Sequence, residues 1–213
     1  MVPQNTKLTP RPKEIPAWDD QPAEAKRVYT RLMENYAGYL AYADDQIGRL
    51  IDSIEKAGEL DNTLIFYIVG DNGPSAEGLE GTFSEVASLV GYNPGPSAII
   101  KRIDQIGGPE SEPHVPVGWA WAMASPLQWT KQVASHFGGT RNPLVVHWPN
   151  GIKAKGELRT QFHHVIDIVP TILEAAHVTA SGIVNGIAQK PIEGVSMMYF
   201  FDDAKAKTHR TTQ

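Results

Sequence analysis

Two short stretches of this sequence carry residue types that could do chemistry. The first is Gly70-Asp71-Asn72-Gly73. An aspartate beside an asparagine offers hard oxygen donors, the kind that Ca2+ and Mg2+ take. The flanking glycines allow a sharp turn and a close approach to a ligand. The same four residues also spell a tight turn, because Asn-Gly is a strong hairpin signal. The next residues are Pro74-Ser75-Ala76-Glu77-Gly78 rather than an alternating strand. On the residues alone, site and turn stand level. A calcium shell takes about six to eight oxygens. Asp71 and Asn72 would therefore need further ligands, from another strand end or from a substrate oxygen.

The second stretch is Trp129-Thr130-Lys131-Gln132-Val133-Ala134-Ser135-His136-Phe137-Gly138-Gly139-Thr140-Arg141. It gathers a lysine, a histidine and an arginine around a diglycine. Cations on a loop at a sheet's edge could hold an anion such as sulfate or phosphate. Each also has a plainer reading. Lys131 could be a solvated loop lysine, His136 a hydrogen-bonded loop histidine, and Arg141 a bridge between loops. His163-His164 is read against a shared metal, because adjacent side chains on one element point apart. Asp44-Asp45 and Asp202-Asp203 read as solvated or capping acids. The tryptophans at 119, 121, 129 and 148 read as packing residues.

The elements that must position these groups come from periodicity. Prolines at 3, 10, 12 and 16 forbid a helix over residues 1–20, which read as an extended arm. A long helix is expected over about 21–56. Asp20 would be its N-cap, Pro22 would sit in its first turn, and Gly58 would close it. Its apolar face carries Val28, Leu32, Tyr36, Leu40, Ile47, Leu50, Ile51 and Ile54. Leu64-Ile65-Phe66-Tyr67-Ile68-Val69 is apolar at every position, as in a strand buried on both faces. Leu144-Val145-Val146-His147-Trp148, closed by Pro149, is a second such strand. The Gly70 stretch thus lies at a strand's carboxyl end, where open α/β sheets bind ligands. Between the two strands one short helix is expected, from Ala98 to Ile106 and ended by Gly107-Gly108. The rest of that segment reads as functional loop. A helix is expected from about Asp167, with Pro170 in its first turn, and a short strand over 196–201. Both ends of the chain read as cut rather than finished.

Composition narrows the function classes. The 213 residues carry 24 acidic and 19 basic side chains, a net charge of -5. No basic block is present to track a nucleic-acid backbone, so no nucleic-acid partner is expected. No run of ~18 apolar residues predicts a membrane span. With no cysteine, the sequence offers no disulfide, no thiolate metal site and no thiol nucleophile.

Three stretches together resemble the sulfatase family, and within it the bacterial arylsulfatase branch. They are residues 64–75 with Glu77-Gly78, residues 117–142 from Val117-Gly118-Trp119 to Phe137-Gly138-Gly139-Thr140-Arg141-Asn142, and Asp167-Ile168-Val169-Pro170-Thr171-Ile172-Leu173. The resemblance runs from about residue 17 to 201. It implies an α/β fold, part of an alkaline-phosphatase-like sandwich with a mostly parallel sheet covered by helices. It also implies a Ca2+ ion held by two pairs of acidic or amide residues, with Asp71 and Asn72 matching the second pair. Lys131 matches the lysine that contacts the sulfate. His136 and Arg141 lie in the matching loop, and His136 is carried as a catalytic candidate beside Lys131.

The departures from the family pattern are specific. The family's formylglycine nucleophile arises from a Cys/Ser-x-Pro-x-Arg motif. Here Ser111-Glu112-Pro113 is followed by His114 and Val115. The first calcium pair and the catalytic histidine have no counterpart. The expected organisation is an arm over 1–20, a partial catalytic domain over 21–201, and the start of a truncated carboxyl-terminal region over 202–213. The expected function is part of a sulfuric ester hydrolase acting on a small-molecule or glycan sulfate ester. It would be inactive alone and would belong with a missing amino-terminal portion. Two other readings stay open: a non-catalytic binding or complementing module, and a phosphatase or phosphodiesterase of the same superfamily. Family members are often periplasmic or secreted, but no signal peptide is read in this chain.

Overall fold

The structure is a computed structural model and describes residues 5–70, 72–75 and 78–212. Asp71, Ala76 and Glu77 lie outside the described residues. The chain divides into two compact units. The first is Met1–Leu50 with Tyr67–Leu144, and the second is Ile51–Phe66 with Val145–Gln213.

The first unit is built on the amino-terminal half of α1 (Ala23–Lys56). The helix starts later than expected, and Asp20 is not its cap. Residues 18–21 close a turn of their own, in which the Gln21 N–H donates to the Trp18 carbonyl at 3.1 Å. Pro22, which has no N–H to satisfy, then takes the entry position, and its carbonyl accepts from the Lys26 N–H at 3.0 Å. The other end agrees with expectation. Gly58 has φ +77. Its N–H reaches Glu55 O at 2.8 Å, and the Glu59 N–H reaches Ile54 O at 3.2 Å. That pair of bonds is a Schellman closure.

Ala25, Val28, Tyr29 and Leu32 of α1 pack with Phe83, Ile99 and Ile106. Full burial of Val28 or Leu32 contributes about 1.5–3 kcal/mol each. The apolar face read from the sequence is only half used. Leu40 and Leu50, further along the same helix, stay exposed.

The segment between the two strands holds more helix than expected. Besides α3 (Pro96–Ile99), which runs on as a 3-10 helix over Ile100–Gln105, it forms α2 (Glu85–Leu89), α4 (Val117–Ala124) and α5 (Phe137–Thr140). Periodicity could not reveal α4. Its sequence VGWAWAMA is small or apolar on every side, so no stripe stands out. The isolated bridge between Thr82 and His114 ties two distant parts of the segment together.

In the second unit Met197, Phe200 and Phe201 form a core with Phe66, Val146, Ile152 and Ile168 packed against it. The strand expected over 196–201 is instead a 3-10 turn, Met198–Phe200. The buried residues of segment 196–201 are Met197, Phe200 and Phe201, spaced by three and four, which is helical rather than strand spacing. The expected helix near Asp167 is a 3-10 turn, Val165–Asp167, leading into α6 (Ile168–Ala175). A β-hairpin pairs β3 (Ile183–Val184) antiparallel with β4 (Ile187–Ala188). Its turn is Asn185-Gly186, both with positive φ, as a type I′ turn requires.

The described sheet structure is two pairs, β1 (Ile65–Ile68) beside β2 (Leu144–His147), and the hairpin. This is a mixed helix-and-strand chain. A mostly parallel sheet covered by helices is not seen among the described residues. The physical difference lies at both strands expected to be enclosed: β1 is half-buried, and β2 is exposed at Leu144, Val145 and His147. Ile68 is 40% and the adjoining Val69 47% exposed, because no described residue covers that surface.

Candidate functional site

The first unit brings together the two stretches that the sequence singled out. The loop that leaves β1 and the loop that carries Lys131 are joined backbone to backbone. The Lys131 N–H donates to the Pro74 carbonyl at 2.9 Å. The Lys131 ammonium donates to Ser75 Oγ at 3.4 Å. The Gly73 N–H donates to Asn142 Oδ1 at 2.9 Å. Lys131 and Asn142 are both half-buried.

The glycines explain how the loops come so close. Gly73 has φ +85, and a β-carbon there would run into the carbonyl of Gly138. A β-carbon on Gly138 would in turn strike the carbonyls of Gln128 and Trp129. One on Gly139 would lie 2.7 Å from the Thr130 carbonyl. The glycine beside Asn72 thus serves loop-on-loop packing. Gly138 and Gly139 are buried at the start of α5.

The backbone around Lys131 is unusual. Trp129 (φ 63) and Gln132 (φ 72) both adopt left-handed conformations that non-glycine residues rarely take. Strain of this kind, held by surrounding bonds, clusters at functional sites.

The other candidates fall in different places. Asn72 is exposed on the loop, while Asp71 lies outside the described residues. His136 is exposed, with its ring at 2.9 Å from Ser135 Oγ and 6.2 Å from the Trp129 ring. No hydrogen bond among the described residues joins His136 to Lys131 or Asn72. Arg141 sits over the Phe137 ring at 6.0 Å. Among the described residues no group of three or more His, Cys, Asp or Glu is placed to hold a metal ion. No described helix is long and apolar enough to cross a membrane.

Sequence reasoning missed the densest polar cluster, which lies in the second unit around Asp167. Its carboxylate is fully buried. Arg210 grips it with two nitrogens, NH2 to Oδ1 at 2.6 Å and Nε to Oδ2 at 2.9 Å. The backbone N–H groups of His164 (3.0 Å) and Val195 (2.8 Å) donate to it. His163 Nδ1 lies 2.8 Å from Oδ2, and its Nε2 lies 3.0 Å from the Tyr199 hydroxyl. The neighbouring His164 accepts from the Ile166 N–H at 3.4 Å, so the two imidazoles serve separate partners. Burial pushes the Asp167 pKa up. Arg210, the two backbone donors and His163 outweigh that and hold it well below the usual carboxylate range.

Known proteins share the pattern of this chain. The sulfatase family model matches residues 8–178. An uncharacterized sulfatase of Schizosaccharomyces pombe is 31% identical over 185 residues, which is 85% of this chain and 32% of that protein. An arylsulfatase of Klebsiella aerogenes is 25% identical over 175 residues, 82% of this chain and 35% of that protein. An N-acetylglucosamine-6-O-sulfatase of Bacteroides thetaiotaomicron is 27% identical over 164 residues, 77% of this chain and 20% of that protein. The chain therefore spans about a third or less of the length of each relative.

Proposed function

The chain belongs to the sulfatase family, and from that premise we propose that it supplies the sulfate-contacting and part of the cation-contacting surface of an arylsulfatase-like sulfuric ester hydrolase. The observation that carries this reading is the docking of Lys131 onto the loop that leaves β1. Hydrolysis of a sulfate ester requires that charge on the sulfuryl oxygens be neutralised, that a nucleophile attack in line, and that the leaving oxygen be protonated. Lys131 serves the first need. Its fixed position matters as much as its charge: the ammonium is held in advance and need not reorganise as the reaction proceeds.

A divalent cation suits the donors on this loop only in part. Asn72 offers a hard amide oxygen and Asp71 a carboxylate, the ligand types that Ca2+ prefers. When bound, the ion would add positive charge beside the ester. The remaining ligands must come from other groups. Formylglycine has no fitting precursor in this sequence. Cysteine is absent, and Ser111 sits in Ser-Glu-Pro-His-Val, with its hydroxyl donating to Gly108 O at 3.0 Å and accepting from the Gly107 N–H at 2.8 Å. No nucleophilic step is assigned to this chain.

Two measurements test the reading. Titration of the chain with inorganic sulfate in the presence of Ca2+ should show binding that Lys131→Ala weakens about tenfold or more, the loss of one charge-assisted hydrogen bond. Equal affinity in the variant would sink the assignment of Lys131. The purified chain should also hydrolyse an aryl sulfate with Ca2+ no faster than a metal-free control. Turnover above that control would show that a nucleophile is present after all.

A further inference from the structure

The first unit contains a cavity of about 520 Å3, apart from the Lys131 loop. Trp18, Tyr29, Trp119 and Trp121 form its aromatic walls, and Arg11, Gln21 and Glu80 are among its polar lining. We propose that this cavity binds a neutral pyranose ring, with the sugar's C–H face against the tryptophans and its hydroxyls on Glu80 and Gln21. The inference does not rest on the sulfatase reading, because none of these residues belongs to the Lys131 and Asn72 loops.

Two of the wall indoles have their N–H groups engaged by other parts of the protein. Trp119 Nε1 donates to the Tyr29 carbonyl at 3.1 Å, and Trp121 Nε1 to Gln128 Oε1 at 3.4 Å. What these two indoles offer the cavity is ring surface. Trp18 and Trp119 lie 5.7 Å apart at 59°, an open angle rather than a closed stack. Lys26 stands 5.9 Å over the Trp18 ring.

The polar groups left for a ligand are few. Among the described residues the Glu80 carboxylate has neither a hydrogen bond nor an ion pair. Gln21 spends its Nε2 on the Ala17 carbonyl at 3.1 Å, and among the described residues no donor reaches its Oε1. Arg11 donates through NH1 to the carbonyls of Pro12 and Ile15. Glu80 acts on the cavity wall electrostatically: burial first, and then this carboxylate, raise the Tyr29 phenol above its usual pKa.

These features select a ligand class. Arg11 and Glu80 carry opposite charges, so the lining as a whole is neutral and favours an uncharged guest. Aromatic walls with a few placed acceptors suit a molecule that is apolar on one face and rich in O–H donors at its edge. A pyranose has that form. A plain aromatic ring would fill the walls but leave Glu80 unpaired on desolvation, at a cost.

Saturation-transfer NMR on the 213-residue chain, with methyl β-glucopyranoside as the probe and phenol as the competitor, tests this. The expected result is transfer to the sugar's ring protons, weakened about tenfold in affinity by Glu80→Ala and abolished by Trp119→Ala. Inorganic sulfate should leave the signal unchanged. Trp119 also packs against the core, so the Glu80→Ala variant, at an exposed position, keeps the test valid if Trp119→Ala fails to fold. No transfer to the sugar, transfer to phenol alone, or a signal indifferent to Glu80→Ala would each overturn the proposal.

Discussion

Replacing Asp167 by alanine is expected to destabilise the chain by about 3–5 kcal/mol, the usual cost of breaking a buried ion pair from one side. The size of the loss comes from where Asp167 sits. Its carboxylate is fully buried and receives Arg210, His163 and two backbone N–H groups. Removing it strands all four at once and leaves the Arg210 guanidinium without its counter-charge. The loss spreads further, because Thr171 Oγ1 donates to the Asp167 carbonyl at 2.6 Å and accepts from the Met197 N–H at 2.9 Å. Asp167 therefore ties the start of α6 to the segment around Val195 and to Arg210. Urea denaturation of parent and variant measures the difference. A loss under about 1 kcal/mol, the size expected of a surface pair, would contradict the picture.

The same residue sets the acid limit. The folded pKa of Asp167 lies below its ordinary value of 3.8, so the folded state favours the ionised form. Its stabilisation is complete above that ordinary value and is lost as pH falls below it toward the folded pKa. Acid unfolding of the parent should show this dependence, and Asp167→Asn should lack that part of it.

Gly138→Ala should have the second large effect. The added methyl would meet two backbone carbonyls, those of Gln128 and Trp129, and neither can swing aside as a side chain would. Overpacking of this kind costs about 1–3 kcal/mol. It should also prise the Lys131 loop from the loop that leaves β1. Hydrogen exchange gives a local reading. The amides of Gly73 and Lys131, bonded to Asn142 Oδ1 and the Pro74 carbonyl, should lose protection in the variant while Val28 and Leu32 in α1 keep theirs. Unchanged protection at Gly73 and Lys131 would show that the two loops are not coupled through the glycines.

Local signals make much of this structure legible from sequence. The long helix comes from its periodicity and its glycine stop, and the two main strands from unbroken apolar runs, all signals that act over a few positions. The sulfatase pattern is readable because it depends on short stretches in a fixed order. Legibility ends where the deciding partner is remote. Nothing near Asp167 announces Arg210, 43 positions away. Two differences have local causes instead. Asn185-Gly186 between Val184 and Ile187 is a strong hairpin signal, though the strands it joins are only two residues long. Over 196–201 apolar character alone suggests a strand, whereas the three-and-four spacing of Met197, Phe200 and Phe201 marks a helical turn. At the candidate site, residue types mark Lys131, but only the structure reveals the glycine packing that seats its loop.

That packing also bears on the chemical lifetime of the loop. An asparagine followed by glycine ages by attack of the glycine nitrogen on the side-chain amide, which closes a succinimide ring and then opens to an acid. Asn72 is in this position. Its neighbour's nitrogen, however, is engaged by Asn142 Oδ1, and the Gly73 backbone is wedged against Gly138, so the swing needed for ring closure is hindered. The contact that docks the two loops thus also preserves the neutral amide at position 72 against slow conversion to a carboxylate.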